Sequence, residues 1–596
     1  MSKRRPELAA LGPALFVVLC AAVGLGLDSY PQYVIAVATI SMLVGIALVV
    51  LVGLGRCITL ASGSILAIGG YASTLAVVNL HVSYLPALAL AILAGAAAGW
   101  VIAFPGTRFR GHNLAMVTLV FQSVCIILIR EATWLTGGAE GIHVPAPQLF
   151  GVTIDSDRAF LILIGTAAAA MTLVLTILVR GPFGKNLQAA AGNEVAAETF
   201  GVSVRGYLTG AFVVSSVAIA FAGALLAPRV RILDPDSFGV LESIFMLAYP
   251  IVGGMHSVWG GLLGGGGLRV APELLRPVAD YQELFFASVV ICVVMFFPGG
   301  LTELVRRALA PRKRTDLPRS LPVAAIQASP VPPAEIGKRA DELLLVEAVD
   351  KRFDALHAVN RASLRVPVGA IHGLIGPNGA GKTSLFNIIS GFLDADGGRI
   401  AFAGTSLLEL RARDRIGLGI TRTFQNVAIF GQLSCLDNVI IGLGQNAVVH
   451  AIGASFDQFV GGAATHGAKR RALAALHSVG LPGHAQSRAG SLSLGDQRRL
   501  EIARAIVSEP RLILLDEPVS GVAEAEAESL HDLLVHINLE RNIAMLVVEH
   551  NIPFVARLCQ TLSVMGEGRI VAEGKPAEVI SLPIVRQLYF GEEAAA

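Results

Sequence analysis

Charge is what this sequence has least of. Asp, Glu, Lys and Arg make up 15% of 596 residues, while 54% are hydrophobic. An ordinary soluble domain carries about 25% charge, so a purely soluble chain is excluded. A basic surplus is missing too: the net charge is +2, which offers nothing to neutralise a phosphate backbone, so nucleic acid is not an expected partner. Cysteine is scarce and scattered (Cys20, Cys57, Cys125, Cys292, Cys435, Cys559), with no pair at metal or redox spacing. These residues read as small apolar packing groups in a reducing compartment.

The little charge there is falls unevenly. From Leu11 to about Pro298 the chain is a series of long apolar runs, and from about Asp341 onward it has ordinary globular composition. Between them lie Pro311, Pro318, Pro322, Pro330, Pro332 and Pro333 with mixed charge and little periodicity, the composition of a semi-extended tether. The expected domains are therefore a membrane domain over 1–308, a linker over 309–342 and a globular domain over 343–592.

Apolar segments long enough to approach a bilayer crossing fall near 11–28, 32–54, 59–80, 84–104, 113–130, 159–179, 207–227, 240–254, 258–275 and 284–299. Met-Ser-Lys-Arg-Arg precedes the first, which reads as an uncleaved span with a cytoplasmic N-terminus. Arg108 and Arg110, Arg180 and Lys185, and Arg306 through Arg314 fall on the side that this topology makes cytoplasmic. A globular domain on that same side requires an even count. Ten spans are expected, with eight as the alternative, and the Gly-rich stretch from Gly253 to Gly267 is read as two short or broken segments. Arg56, Arg130, Glu131 and Glu242 lie in or near spans; ionisable groups there either line a path or snorkel from span ends. The loop 183–206 places Leu187, Val195, Ala196 and Phe200 at helical spacing. A short helix with an exposed apolar side fits, docking on a partner groove or lying on lipid.

Chemistry is concentrated in the globular half. Gly376-Pro377-Asn378-Gly379-Ala380-Gly381-Lys382-Thr383-Ser384 follows a short apolar strand and opens an amphipathic helix. This is the strand–loop–helix setting of a nucleotide phosphate loop. Inward-turned N–H groups and the helix N-terminus attract phosphate, Lys382 reaches the β- and γ-phosphates, and the Thr383 hydroxyl can ligate Mg2+. Around it stand an apolar strand ending in Asp516-Glu517, a Ser493-Leu494-Gly495-Asp496 helix start, Gln425, His550 after another apolar strand, and Phe353 upstream. Asp516 suits the metal, Glu517 suits polarising a water, and Phe353 suits stacking on adenine.

That ordered set resembles the ATP-binding-cassette family over about 343–591. The resemblance implies that Gly376–Ser384 binds ATP and that Thr383, Gln425 and Asp516 surround Mg2+. It further implies that Glu517, His550 and Gln425 serve hydrolysis, and that Ser493 and Gly495 contact the ATP of a facing cassette. The first half, through Phe109–Phe121, Leu135–Ile142, Asn193–Gly201 and Pro235–Gly260, is similar to permeases of bacterial branched-chain amino acid importers, in which the loop near 183–206 couples to the ATPase. The fold class implied is an all-α polytopic membrane domain followed by an α/β P-loop NTPase, a permease and an ATPase fused. Import of branched-chain or other hydrophobic amino acids follows. Urea, amides or aromatic acids as cargo, or an exporter or lipid translocator, stand as alternatives. The partners implied are a second permease and a second ATP-binding subunit (or a second copy), a periplasmic solute-binding protein, a small-molecule substrate and membrane lipid, at the bacterial inner membrane with the ATPase domain cytoplasmic. Asp496, where the family commonly has Gln, and Ser520–Glu526 depart from the family pattern. The site that borrows this signature is therefore expected to be weaker than the one built on this chain's own phosphate loop.

Overall fold

A computed structural model of the chain describes residues 6–149, 151–274, 282–297, 299–309, 342–354, 356–444, 447–460 and 463–590. Nearly all of the proposed linker, 310–341, and the last residues of the globular domain lie outside these. The chain forms two compact units. One holds the described residues of Met1–Ala191, Val204–Thr315 and Val448–Gly462; the other holds those of Gly192–Ser203, Asp316–Ala447 and Ala463–Ala596.

Apolar helices dominate the first unit. They run Pro6–Gly24, Ser29–Leu48 (prolonged as a π-helix over Val49–Leu54), Ser62–Leu80, Tyr84–Gly106, Gly111–Glu131, Asp157–Arg180, Val204–Val230, Val240–Gly253, Val258–Leu274 and Gln282–Phe296. Among the described residues each apolar run read from sequence overlaps one of these helices, and seven helices are long and apolar enough to cross a membrane. Their outward faces carry Leu93, Trp100, Phe104, Val120 and Leu128, all more than 60% exposed, as lipid-facing surfaces require. The Gly-rich stretch is indeed broken. Gly254, at φ +126°, ends one helix, and a Cβ on Gly253 would lie 1.8 Å from the Gly260 carbonyl oxygen, so only glycine lets the two short helices meet.

Between Leu54 and Ser62 the backbone leaves the helix, and side chains answer polar groups there and in the first turn of the next helix. Leu60 N donates to Thr118 Oγ1 (3.0 Å), Gly63 N to Ser243 Oγ (2.9 Å) and Ser64 N to Gln122 Oε1 (2.6 Å). Such compensation is what non-helical backbone inside an apolar unit needs. Arg130, at the end of its helix, pairs with Asp236, the end-of-span reading of that charge.

The loop 183–206 contains two helices rather than one. Pro182–Gly192 and Glu194–Thr199 break at Asn193, whose Oδ1 caps the second by accepting from Ala196 N (3.0 Å). Its apolar side is not open, as the sequence pattern suggested: Leu187, Ala196 and Phe200 are fully buried, and of that set Val195 alone stays exposed.

The second unit is built on two sheets. In the first, β1 (Glu342–Phe353) lies between β2 (Leu356–Pro367) and β4 (Gly397–Phe402), all antiparallel, with β5 (Thr405–Ser406) at the edge. The second has the order β6 (Ile420–Arg422), β7 (Leu512–Asp516), β8 (Ala544–Val548), β3 (Ile371–Ile375), β9 (Thr561–Gly566) and β10 (Arg569–Gly574), parallel except for β10. Every residue of β3, β7 and β8 is buried, which is why these strands read as unbroken apolar runs: both faces of a parallel sheet are covered. The register pairs Asp516 with Val548 and Val548 with Leu374. The carboxyl ends of three central strands therefore lie along one edge, where open α/β sheets bind ligands.

One polar residue is buried within β3. His372 is held by Thr561 Oγ1 (2.7 Å) and Ser563 Oγ (2.9 Å) of β9, and burial pushes its pKa down to about 4. An unfolded His titrates near 6.5. Between those values the unfolded chain binds the proton and the folded chain does not, so stability falls as pH drops from about 6.5 toward 4. From pH 7 to pH 5 this group should cost about 2 kcal/mol, or about 4–8 °C in the melting of this unit. A melting series of His372→Gln should show a pH difference smaller by about that amount; an unchanged difference would assign the acid sensitivity elsewhere.

Candidate functional site

The phosphate loop leaves β3 and enters helix α1 (Lys382–Ser390). Its shape depends on Gly381, at φ +98°. A Cβ there would lie 2.1 Å from the Ala358 carbonyl oxygen, and one on Gly376 would lie 2.2 Å from that of Met565. Ala380 is buried, whereas Asn378, Gly379 and Thr383 are exposed at the loop tip and first helical turn, with Pro377 and Ser384 half-buried beside them. The Lys382 Nζ folds onto the loop and donates to the carbonyls of Gly376 (2.6 Å) and Pro377 (2.9 Å). Burial lowers the Lys382 pKa, while the charge of Glu517 works against that shift.

Asp516 ends β7 and is 6% exposed. Burial raises its pKa, and the adjoining Arg422 opposes this by donating from Nη2 to Asp516 Oδ2 at 2.9 Å. Arg422 also donates to Asn387 Oδ1 (2.7 Å) and Ser390 Oγ (2.6 Å) on α1, and lies over the rings of Phe386, Phe392 and Phe424. One guanidinium therefore ties the phosphate helix to the Asp516 carboxylate.

Glu517 sits at φ +46°, a region that non-glycine residues occupy only under constraint. The constraint is visible: Glu517 N donates to the Val548 carbonyl at 2.8 Å. Its carboxylate is thereby turned so that Oε2 accepts from Gln425 Nε2 (3.0 Å) and lies 3.8 Å from His550 Nδ1. Glu549, fully buried next door, fixes the same turn. Its Oε1 accepts from Val519 N (3.2 Å), and its Oε2 from His550 N (2.9 Å) and Asn551 N (3.2 Å).

The fold thus gathers the phosphate loop, Asp516, Glu517, Gln425 and His550 at one sheet edge. Phe353, at the end of β1, is 45% exposed and has the Lys351 ammonium 5.7 Å from its ring centroid. Ser493 caps helix α2 (Leu494–Ile506), accepting from Asp496 N at 3.2 Å, and Gly495 lies buried in its first turn. Among the described residues no hydrogen bond or ion pair links Phe353, Ser493 or Gly495 to the phosphate loop. Sequence reading passed over Arg422 and Glu549. Each was a charge within or beside an apolar strand, Thr-Arg-Thr before Phe424 and Val548-Glu-His, and charge in such a position needs a partner.

ATP fits this edge: a loop that a Cβ would fill, a lysine, and the N-terminus of α1 suit a polyphosphate. Mg2+ fits as well. It takes hard oxygen donors and keeps waters and phosphates, so it needs few protein ligands. The Asp516 carboxylate and Thr383 hydroxyl are of that kind, and no group of three or more His, Cys, Asp or Glu is gathered among the described residues.

Both halves of the chain match known proteins. The ABC transporter family matches residues 359–520, and the family of permease components of the branched-chain amino acid transport system matches residues 30–297. The high-affinity branched-chain amino acid transport ATP-binding protein LivG of Salmonella typhimurium is 35% identical over 250 residues, 42% of this chain and 98% of that protein. The permease protein LivM of Escherichia coli K12 is 33% identical over 302 residues, 46% of this chain and 71% of that protein. A crystallised ATP-binding cassette of an ABC transporter in its ADP conformation is 30% identical, covering 42% of this chain and 99% of the other, with a TM-score of 0.37.

Proposed function

Because the chain belongs to the ATP-binding-cassette transporter family, with a permease of the branched-chain amino acid type and an ATP-hydrolysing cassette in one polypeptide, we propose that it imports branched-chain or other hydrophobic amino acids at the expense of ATP. It is a multi-pass membrane protein with a cytoplasmic ATPase domain; the membrane proposed is the bacterial inner membrane. The observation that carries the cargo assignment is the pairing itself. The permease half is similar to LivM and the cassette half to LivG, two proteins whose names give the same solute class.

The roles proposed follow from chemistry. Gly376–Ser384 holds the ATP phosphates, with Lys382 releasing the loop carbonyls to meet them, and Phe353 stacks on the adenine. Thr383, Gln425 and Asp516 hold Mg2+, which when bound neutralises phosphate charge. Glu517, poised by Gln425 and His550, polarises the attacking water. Ser493 and Gly495 face the nucleotide of a second cassette, so the assembly includes a second permease and ATP-binding subunit, or a second copy, and a periplasmic solute-binding protein. The domains are 1–308, a linker over 309–342, and 343–592.

Direction and cargo are tested together with labelled leucine in vesicles carrying the chain and its companion subunits. Right-side-out vesicles with internal ATP and the solute-binding protein should accumulate leucine, with isoleucine and valine competing. Accumulation confined to inside-out vesicles would mean export, and competition by urea or acetamide alone would move the cargo class.

A further inference from the structure

Helix α2 carries three charges that ATP chemistry does not use and that a surface helix would leave in water. Arg498, Glu501 and Arg504 are 4%, 1% and 0% exposed. The Arg504 guanidinium lies 4.6 Å from the Phe200 ring centroid and 4.8 Å from that of Phe430. Its Nη2 donates to the Ala428 carbonyl at 2.8 Å, while Nε and Nη1 have no hydrogen-bond acceptor. The two aromatic faces lie against this buried cation and offset part of its lost hydration. Phe200 belongs to 192–203, the short segment that is part of the same compact unit as the cassette.

From Arg504 the contacts run on without a break. Glu501 Oε1 lies 3.9 Å from Arg504 Nη2 and accepts from Phe424 N at 3.1 Å. Arg498 pairs with Glu501 Oε2 (3.3 Å), and its two terminal nitrogens donate to the carbonyls of Phe424 (2.7 Å) and Gln425. The backbone on either side of Gln425 is thus gripped by side chains of one helix, and Gln425 in turn donates to Glu517.

We propose that Arg504 is a positioning residue for ATP hydrolysis: clasped between Phe200 and Phe430, it sets through Glu501 and Arg498 the backbone of Phe424–Gln425, and so the Gln425 amide on Glu517. The inference rests on Gln425 and Glu517 serving hydrolysis as proposed above. A displacement of Phe200 is then felt at the carboxylate without any change in the phosphate loop.

The test is MgATP turnover by the full-length chain, with the subunits that purify with it, in proteoliposomes. Phe200→Leu keeps an apolar side chain but removes the ring face, and Phe200→Tyr keeps the face. Arg504→Lys keeps the charge but loses the planar fork. Phe200→Leu and Arg504→Lys should each lower kcat by about tenfold with KM for ATP within about twofold, while Phe200→Tyr stays within about twofold of wild type. ATP-binding stoichiometry counts folded sites, so loss of folded protein does not enter kcat. In a Gln425→Ala background, Phe200→Leu should lower kcat by less than about twofold further, because the end of the relay is already gone. Independent, multiplying losses would overturn the relay, as would Phe200→Tyr falling as far as Phe200→Leu. Wild-type turnover in Gln425→Ala would instead sink the site reading beneath it, a distinguishable failure.

Discussion

Glu517→Gln should lower ATP turnover by about 100-fold or more while ATP still binds, the range expected when a group that polarises the nucleophile is removed. Three features of the structure make the effect large. The carboxylate is aimed by a strained backbone at φ +46°, it is held by Gln425, and it stands beside Asp516 at the edge where the phosphate loop opens. The glutamine keeps the size and can still hydrogen-bond, so the fold should persist; what is lost is the negative charge. Phosphate release under saturating MgATP is the measurement. Turnover near that of wild type would mean that another group activates the water.

Gly381→Ala should act one step earlier, on binding. A methyl group there meets a backbone carbonyl at 2.1 Å, and the φ of +98° is unfavourable for any L side chain. Either the loop shifts or β2 moves, and a clash with backbone cannot be relieved by a rotamer change. Because the loop offers its N–H groups as a set, a shift of that size removes several phosphate contacts together. An ATP affinity lower by about 100-fold, roughly two charge-assisted hydrogen bonds, is expected. Equilibrium binding of a fluorescent ATP analogue reads it directly, and an affinity within about threefold of wild type would refute the cradle described here.

The phosphate loop, the Asp516-Glu517 strand end and the apolar helices were legible because each is a local pattern. A glycine-rich turn, a run of five apolar residues or a stretch of about twenty carries its own physical meaning. Legibility failed where meaning depends on a distant partner. Arg498, Glu501 and Arg504 look like the solvated face of a polar helix; they are buried because Phe424, Ala428 and Phe200 supply acceptors, donors and ring faces from far along the chain. Arg422 is silent in sequence for the same reason, its three polar contacts lying on α1 and β7. The segment 183–206 reads as helical, but its apolar side carries no sign that other parts of the chain cover it, nor that Asn193 divides it. Phe353 and the Ser493–Gly495 turn were legible as motifs, yet their proposed roles need a nucleotide and a second cassette.

Leucine accumulation and phosphate release, measured in the same vesicles for wild type and Glu517→Gln, bear most directly on whether ATP cleavage at this edge drives the permease half of the same polypeptide. The two quantities should fall together, with accumulation dropping to the level of vesicles lacking ATP. Continued accumulation after phosphate release has stopped would contradict the account.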